Sequence, residues 1–92
     1  MNSMNNQEQK YQIELGDALK RLEVNPDFIA VIKDGYIMST LIRDSQDMLD
    51  INPPIRQEAL EKVQSVNYFR QYLTSIRNVA DGAREDLVQE EA

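Results

Sequence analysis

The chain has 92 residues with no histidine, cysteine or tryptophan, and its 16 acidic and 10 basic residues give a net charge of −6. Without cysteine there is no disulfide framework or thiolate nucleophile, and without histidine the usual proton shuttle near neutral pH is absent. The acidic balance disfavours a general binder of nucleic-acid phosphates, whose affinity comes from clustered lysine and arginine. At 41% hydrophobic and 28% charged residues, the composition predicts one folded domain over residues 1–92.

The first periodic segment runs from about residue 7 to residue 22 and has the spacing of an amphipathic α-helix. Its apolar residues fall on one helical face; they are Tyr11, Leu15, Ala18, Leu19 and Leu22. The two ends of the chain, residues 1–9 and 85–92, are polar. We expect both ends to fray.

A second helix is predicted to begin at Asn25-Pro26-Asp27, which is typical of an N-cap, a proline at the first helical position and an acid in the first turn. Phe28, Val31 and Ile32 form its predicted buried face. Gly35 leaves two interpretations open. A glycine here either reverses the chain at a helix end or only weakens one continuous helix.

Beyond this glycine, apolar residues continue at helical spacing, and they are Ile37, Met38, Leu41, Ile42, Met48 and Leu49. Pro53 and Pro54 then end the helix, because each removes a backbone donor and restricts the residue before it. Residues 10–50 are therefore predicted to hold the N-terminal helices.

Residues 54–88 carry the most regular pattern in the chain. Positions at alternating four- and three-residue spacing are apolar with one exception, a lysine; they are Ile55, Ala59, Lys62, Val66, Phe69, Leu73, Ile76, Ala80, Ala83 and Leu87. A stripe of this length is typical of a bundle or coiled-coil-like helix that packs lengthwise against others. The sequence thus predicts an all-α fold of three to four helices with a long C-terminal helix.

The length of this last helix predicts self-association. At 1.5 Å per residue, residues 55–88 span about 50 Å, whereas a compact domain of this size is roughly 30 Å across. We therefore expect apolar surface near Leu87 to be covered by a second copy or a partner. Gly82 leaves an alternative open, in which the helix ends there and the chain is a monomeric bundle. The predicted interface residues are Val66, Tyr68, Phe69, Tyr72, Leu73, Ile76, Ala80, Ala83 and Leu87.

Little in the sequence points to catalysis. Asp44, Asp47 and Asp50 are regularly spaced, but no glycine or terminal acid of a calcium loop follows them, so a solvated acidic face is the better interpretation. The hydroxyl residues have no base at motif spacing, and there is no phosphate-binding glycine loop. We predict no catalytic residue, metal ligand, cofactor or small-molecule substrate.

Two stretches resemble a known group of proteins. The run from Asn25 to Tyr36, followed by an acidic middle helix and later by Phe69-Arg70-Gln71-Tyr72-Leu73, is similar to the small acidic helical proteins encoded among virion and assembly genes of tailed bacteriophages. The resemblance covers about residues 11–80. It implies a virion, scaffolding or assembly-associated role, and it carries over no catalytic residue.

Three functions are compatible with the sequence. The favoured one is a non-enzymatic assembly protein that forms a homo-oligomer through residues 55–87 and presents residues 25–49 to a larger protein partner. The second is an acidic regulatory protein that binds and inhibits a nucleic-acid-handling enzyme. The third is a helix-turn-helix module in residues 25–49, although Arg43 among three aspartates has the wrong sign for nucleic acid.

The surroundings of the protein are predicted from what its sequence lacks. No stretch is apolar over the roughly 20 residues that a membrane span needs, and the first residues do not have the pattern of a secretory signal. We therefore expect no membrane partner and a location in the cytoplasm, or in the virion if the protein is phage-encoded.

Overall fold

The computed structural model describes residues 6–91, and every regular element in this range is helical. In chain order the elements are α1 (Asn6–Glu23), α2 (Pro26–Phe28), a π-helix (Ile29–Met38), α3 (Ser39–Asp47) and α4 (Pro53–Glu91). No strand occurs among the described residues. The predictions of an all-α fold and of a long last helix are confirmed.

The described helices group into two compact units, and the single domain expected from the chain length stays a prediction. One unit pairs α1 with residues 72–91 of α4, and the other holds residues 24–71. The 39 residues of α4 contribute one part to each unit. Each of the two earlier helical segments therefore packs on its own stretch of the same long helix.

The second segment begins as predicted, at an asparagine cap followed by proline. The Oδ1 atom of Asn25 accepts hydrogen bonds from the backbone N–H of Asp27 at 2.8 Å and of Phe28 at 3.3 Å. Pro26 lies in the first turn, where a helix makes no use of the missing N–H. The cap thus satisfies two N–H groups that a helix start leaves without an intrahelical acceptor.

We expect Asn25→Ala to lower the free energy of unfolding by about 1 kcal/mol, because the two capped N–H groups lose their acceptor. Thermal and urea unfolding followed by circular dichroism measure the change. Asn25→Asp is the matched control and should stay close to the unchanged chain, since its carboxylate also accepts these bonds and favours a helix N-terminus. Equal losses in both variants would show that the side-chain oxygen is not what stabilises this start.

Gly35 lies inside one continuous helical segment, so the interpretation without a chain reversal is the one observed. α2, the π-helix and α3 follow one another with helical backbone angles at both junctions, Ile29 and Ser39. No described glycine has the positive φ that a reversing glycine cap requires. A Cβ at position 35 would lie 2.9 Å from the carbonyl oxygen of Ala30, so the wide turn favours glycine at this position.

The π-helix changes which residues are buried. Its N–H groups bond to carbonyls five residues earlier, so each turn takes more residues than in an α-helix. Sheltered positions recur every fourth residue at Phe28, Ile32, Tyr36, Thr40, Asp44 and Met48, and several residues beside them are half-buried as well, among them Ile29, Ile37 and Leu41. Val31, which a 3.6-residue period assigns to the core, is instead 65% exposed, and Met38, Ile42 and Leu49 also lie on the exposed side.

The segment ends ahead of the two prolines, as predicted. α3 stops at Asp47, and the Oδ1 atom of Asp50 then accepts a hydrogen bond from the backbone N–H of Asn52 at 2.8 Å. α4 starts at Pro53. This short connection fixes the point at which the chain turns into the long helix.

α4 continues through Gly82 to Glu91, so the prediction of a continuous long helix is confirmed and an end at Gly82 is not observed. Helical structure also extends into both stretches that we expected to fray, since residues 6–9 belong to α1 and residues 85–91 belong to α4. The remainder of that prediction, residues 1–5 and 92, lies outside the described residues.

α1 has the predicted extent, and three of its five predicted core residues are sheltered, since Leu19 is buried and Leu15 and Ala18 are half-buried. Tyr11 is 63% exposed and Leu22 is 43% exposed, although the apolar spacing assigns both to the core. The buried residues are Gln9, Gly16 and Leu19, which centre the contact about one residue further around the helix. The reason is that the small Gly16 allows another helix to approach the backbone closely, which a pattern of apolar side chains does not register.

Candidate interaction surface

The heptad stripe of α4 packs inside the chain. Its buried members are Ala59, Val66, Ala80 and Ala83, its half-buried members are Phe69, Leu73, Ile76 and Leu87, and its exposed members are Ile55 and Lys62. The stripe therefore forms one packed face over most of its length, as the four- and three-residue spacing predicts.

Three of the predicted interface residues have no free surface for a second copy. Val66 is completely buried, and Ala80 and Ala83 are each 2% exposed. The apolar surface expected toward Leu87 is partly covered, because α1 shares a unit with this part of α4 and Leu87 is half-buried. Contact of Leu87 with a second copy or a partner stays a prediction. α1 is 18 residues long, which is enough to follow α4 over several turns.

The other predicted interface residues divide by exposure. Phe69, Leu73 and Ile76 are half-buried, whereas Tyr68 and Tyr72 are exposed and lie one turn apart on α4. An exposed tyrosine keeps its hydroxyl in water while its ring stays available for contact. Of the predicted set, the two tyrosines thus keep the largest free surfaces, and their role in an interface stays a prediction.

α1 and α4 meet where both helices carry small residues. Gly16 is buried, and a Cβ added there would overlap the Cβ of Ala80. Ala83, one turn further along α4, is buried as well. The two backbones therefore approach more closely here than two leucine-lined helices allow. This contact positions α1 on α4 within the first unit.

Ion pairs confirm that α1 and α4 run antiparallel in this unit. Arg84 Nη2 lies 2.7 Å from Asp17 Oδ1, and Arg77 Nη2 donates to both carboxylate oxygens of Glu23 at 2.9 Å. The later residue of α1 thus pairs with the earlier residue of α4. Exposed pairs of this kind each contribute little stability. They show how α1 and α4 are aligned but do little to stabilise that alignment.

Gln9 is a buried polar residue that sequence reasoning missed. Its side chain is 0% exposed, and neither its Nε2 nor its Oε1 has a hydrogen-bond partner. A buried amide without partners costs about 1–3 kcal/mol. The sequence indicates the burial of Gln9 only through its position, because Gln9 precedes Gly16 by two turns on the same face of α1.

In the second unit, Tyr36 connects the π-helix to α4. Its hydroxyl lies 2.9 Å from Ser65 Oγ, and its ring meets Phe69 edge-on with centroids 6.0 Å apart. On the same side of the segment, Asp44 is buried, with Arg43 Nη2 at 3.4 Å from its Oδ2 atom. These contacts are made by the side of the segment that faces α4, which we call its inner side.

The opposite side of the segment leaves three apolar side chains in water, since Val31, Met38 and Ile42 are 65%, 49% and 64% exposed. Asp34 and Arg43 are exposed in the same stretch of chain. This outer side therefore mixes apolar and charged side chains.

Among residues 6–91, no group of three or more acidic side chains is placed to hold a metal ion. Residues 26–47 form one continuous helical segment, whereas a helix-turn-helix places a turn between two helices. No described helix combines the length and apolar content that crossing a membrane requires.

No family model, curated protein or solved structure matches this chain.

Proposed function

We propose that this chain is a non-enzymatic helical interaction protein that acts in assembly, forming a homo-oligomer and joining a larger protein partner. The apolar side chains that the fold leaves exposed support the self-association. The resemblance over about residues 11–80 supports a place in the virion or in the morphogenesis of a tailed phage. The contact is made by side chains other than Val66, Ala80 and Ala83, which are used within the chain.

The observation that carries the proposal is the small core. The buried hydrophobic residues of the described chain are Leu19, Val66 and three alanines, and alanine removes little apolar area from water. Large apolar side chains are exposed in much greater number, and they are Tyr11, Leu22, Val24, Val31, Met38, Ile42, Leu49, Ile51, Ile55, Tyr68, Tyr72, Val79 and Val88. A small chain with so little core gains stability when another copy covers such surface.

We expect the purified chain to have a mass above the 10.6 kDa of one copy at high concentration and to approach that mass on dilution. Light scattering at two concentrations measures this. The larger mass should persist in about 0.5 M salt, because salt screens charge pairs and does not weaken an apolar contact.

Measuring the mass and the partner binding at low and high salt also distinguishes self-association from the alternative of an acidic regulatory protein. A regulatory protein that binds through its acidic surface acts as a monomer, and its affinity for the partner falls steeply as ionic strength rises. If the mass stays at 10.6 kDa at both concentrations, self-association is contradicted. If the chain also captures a nucleic-acid-handling enzyme, and added salt abolishes that capture, the regulatory function is favoured.

A further inference from the structure

We propose that residues 29–47 exchange between two helical forms, the observed π form and an α form. In the α form the π-helix becomes α-helical, and the segment turns a different side toward α4. The two kinds of hydrogen bond use the same N–H groups and differ by one residue in the acceptor, so the exchange does not require the segment to unfold. The inference concerns the second unit alone and does not depend on the proposed self-association.

The π form buries polar side chains while it leaves apolar ones in water. Asp44 is 2% exposed and Thr40 is 5% exposed. The carboxylate of Asp44 pairs with Arg43, whose side chain is itself 62% exposed, so the pair offsets only part of the cost of burying a carboxyl group. Val31 and Ile42 lie on the outer side, where both are mostly exposed. The π form therefore places residues of both kinds in unfavourable surroundings.

An α-helical period brings the exposed apolar residues onto one side of the segment. At about 100° per residue, five apolar side chains fall within roughly 120° of one another; they are Phe28, Val31, Ile32, Met38 and Ile42. Thr40 and Asp44 fall on the opposite side of the same helix. The α form therefore turns Val31, Met38 and Ile42 toward α4 and returns the two buried polar residues to water.

The π form has favourable contacts of its own. It places Tyr36 against α4, where the hydroxyl lies 2.9 Å from Ser65 Oγ and the ring meets Phe69 edge-on. It also half-buries Ile37 and Leu41, and an α-helical period turns both of them away from α4. The two forms thus bury different parts of one apolar set, which brings their free energies close together.

Gly35 makes this balance sensitive to a single methyl group. In the π form a Cβ at position 35 would lie 2.9 Å from the carbonyl oxygen of Ala30, which belongs to the backbone and cannot rotate away. An α-helical turn accepts alanine better than any other residue. Gly35→Ala therefore disfavours the π form and shifts the segment toward the α form.

Single thiols in the full chain test the exchange, since the chain has no cysteine of its own. Thr40→Cys places a thiol that is buried in the π form and faces water in the α form, whereas Ile42→Cys does the reverse. When Gly35→Ala is added, we expect the thiol at position 40 to react faster with a soluble thiol reagent and the thiol at position 42 to react more slowly. The ratio of the two rates should change on the order of tenfold, with the helix content from far-UV circular dichroism unchanged.

Two further variants are controls. Gly82→Ala makes the same residue change in α4, where nothing lies within 4 Å of the added Cβ, and it should leave the ratio of the two rates unchanged. Asp44→Leu removes the carboxyl group that the π form buries. We expect this variant to favour the π form and to slow the reaction at position 40.

The dependence on urea distinguishes an exchange of forms from unfolding. With Gly35 unchanged, the rate at position 40 should be insensitive to low urea concentrations, because exchange between two packed forms exposes little surface. If that rate rises with urea as global unfolding does, or if Gly35→Ala leaves the ratio unchanged, the α form is ruled out. If the thiol at position 42 does not slow in the Gly35→Ala chain, the segment opens locally and the proposal is wrong. The mass in solution tests the proposed self-association separately from all of these outcomes.

Discussion

Replacing Val66 by aspartate should abolish cooperative folding or lower the free energy of unfolding by at least about 3 kcal/mol. Val66 is completely buried, and a carboxylate in its place is either charged without a partner or protonated without a hydrogen bond. A domain of this size has a total stability of roughly 5–15 kcal/mol, so the loss is a large share. Urea unfolding at one fixed protein concentration measures it.

The adjacent residue supplies the control for this change. Asn67 is exposed on α4, so Asn67→Asp introduces the same carboxylate one position further around the helix. We expect that variant to stay within about 0.5 kcal/mol of the unchanged chain. Comparable losses from Val66→Asp and Asn67→Asp would mean that charge on α4, and not burial of Val66, is responsible.

Gly16→Ala and Gly82→Ala should change stability in opposite directions. Both glycines lie in α-helices without a positive φ, so alanine brings each the same gain in helix propensity, about 1 kcal/mol. At Gly82 nothing lies within 4 Å of the added Cβ, and we expect stability to rise by about 0.5–1 kcal/mol.

At Gly16 the added Cβ overlaps the Cβ of Ala80, which is attached directly to the backbone and cannot rotate away. The helices must separate, and such overpacking costs about 1–3 kcal/mol. After the gain in helix propensity is subtracted, we expect a net loss of up to about 2 kcal/mol, measured by the same unfolding experiment. The further change Ala80→Gly in the Gly16→Ala chain should recover part of this loss, because it removes the overlapping atom. A gain in stability from Gly16→Ala alone would show that the two helices are not in close contact.

Much of the fold follows from local chemistry that the sequence shows directly. The cap at Asn25 and the prolines at 53 and 54 define helix ends because they act on backbone groups within a few residues. The packed face of α4 follows from its heptad spacing, which fixes the side of a helix on which residues from Ala59 to Leu87 lie. The continuity through Gly82 also follows, since the spacing keeps its phase on both sides of this glycine.

The π-helix is a different case, because no residue type encodes it. α- and π-hydrogen bonding of the same segment differ by one residue in the choice of acceptor. That small difference moves Val31 out of the core and keeps Tyr36 and Asp44 on the inner side. A 3.6-residue period therefore places Ile32 and Ile37 correctly but also assigns Val31 and Met38 to the core, where the structure leaves both exposed.

The sequence by itself determined that this protein is all-α, where its second segment and long helix begin, and which side of the long helix packs. Only the tertiary structure decided what covers that side. The antiparallel placement of α1, centred on Gly16 and Ala80, covers the part of the stripe from Leu73 to Leu87, and the segment that holds Tyr36 packs on the earlier part. The physical reason is that apolar spacing reports which face of a helix avoids water, whereas the neighbour that shields it depends on contacts between residues far apart in the chain.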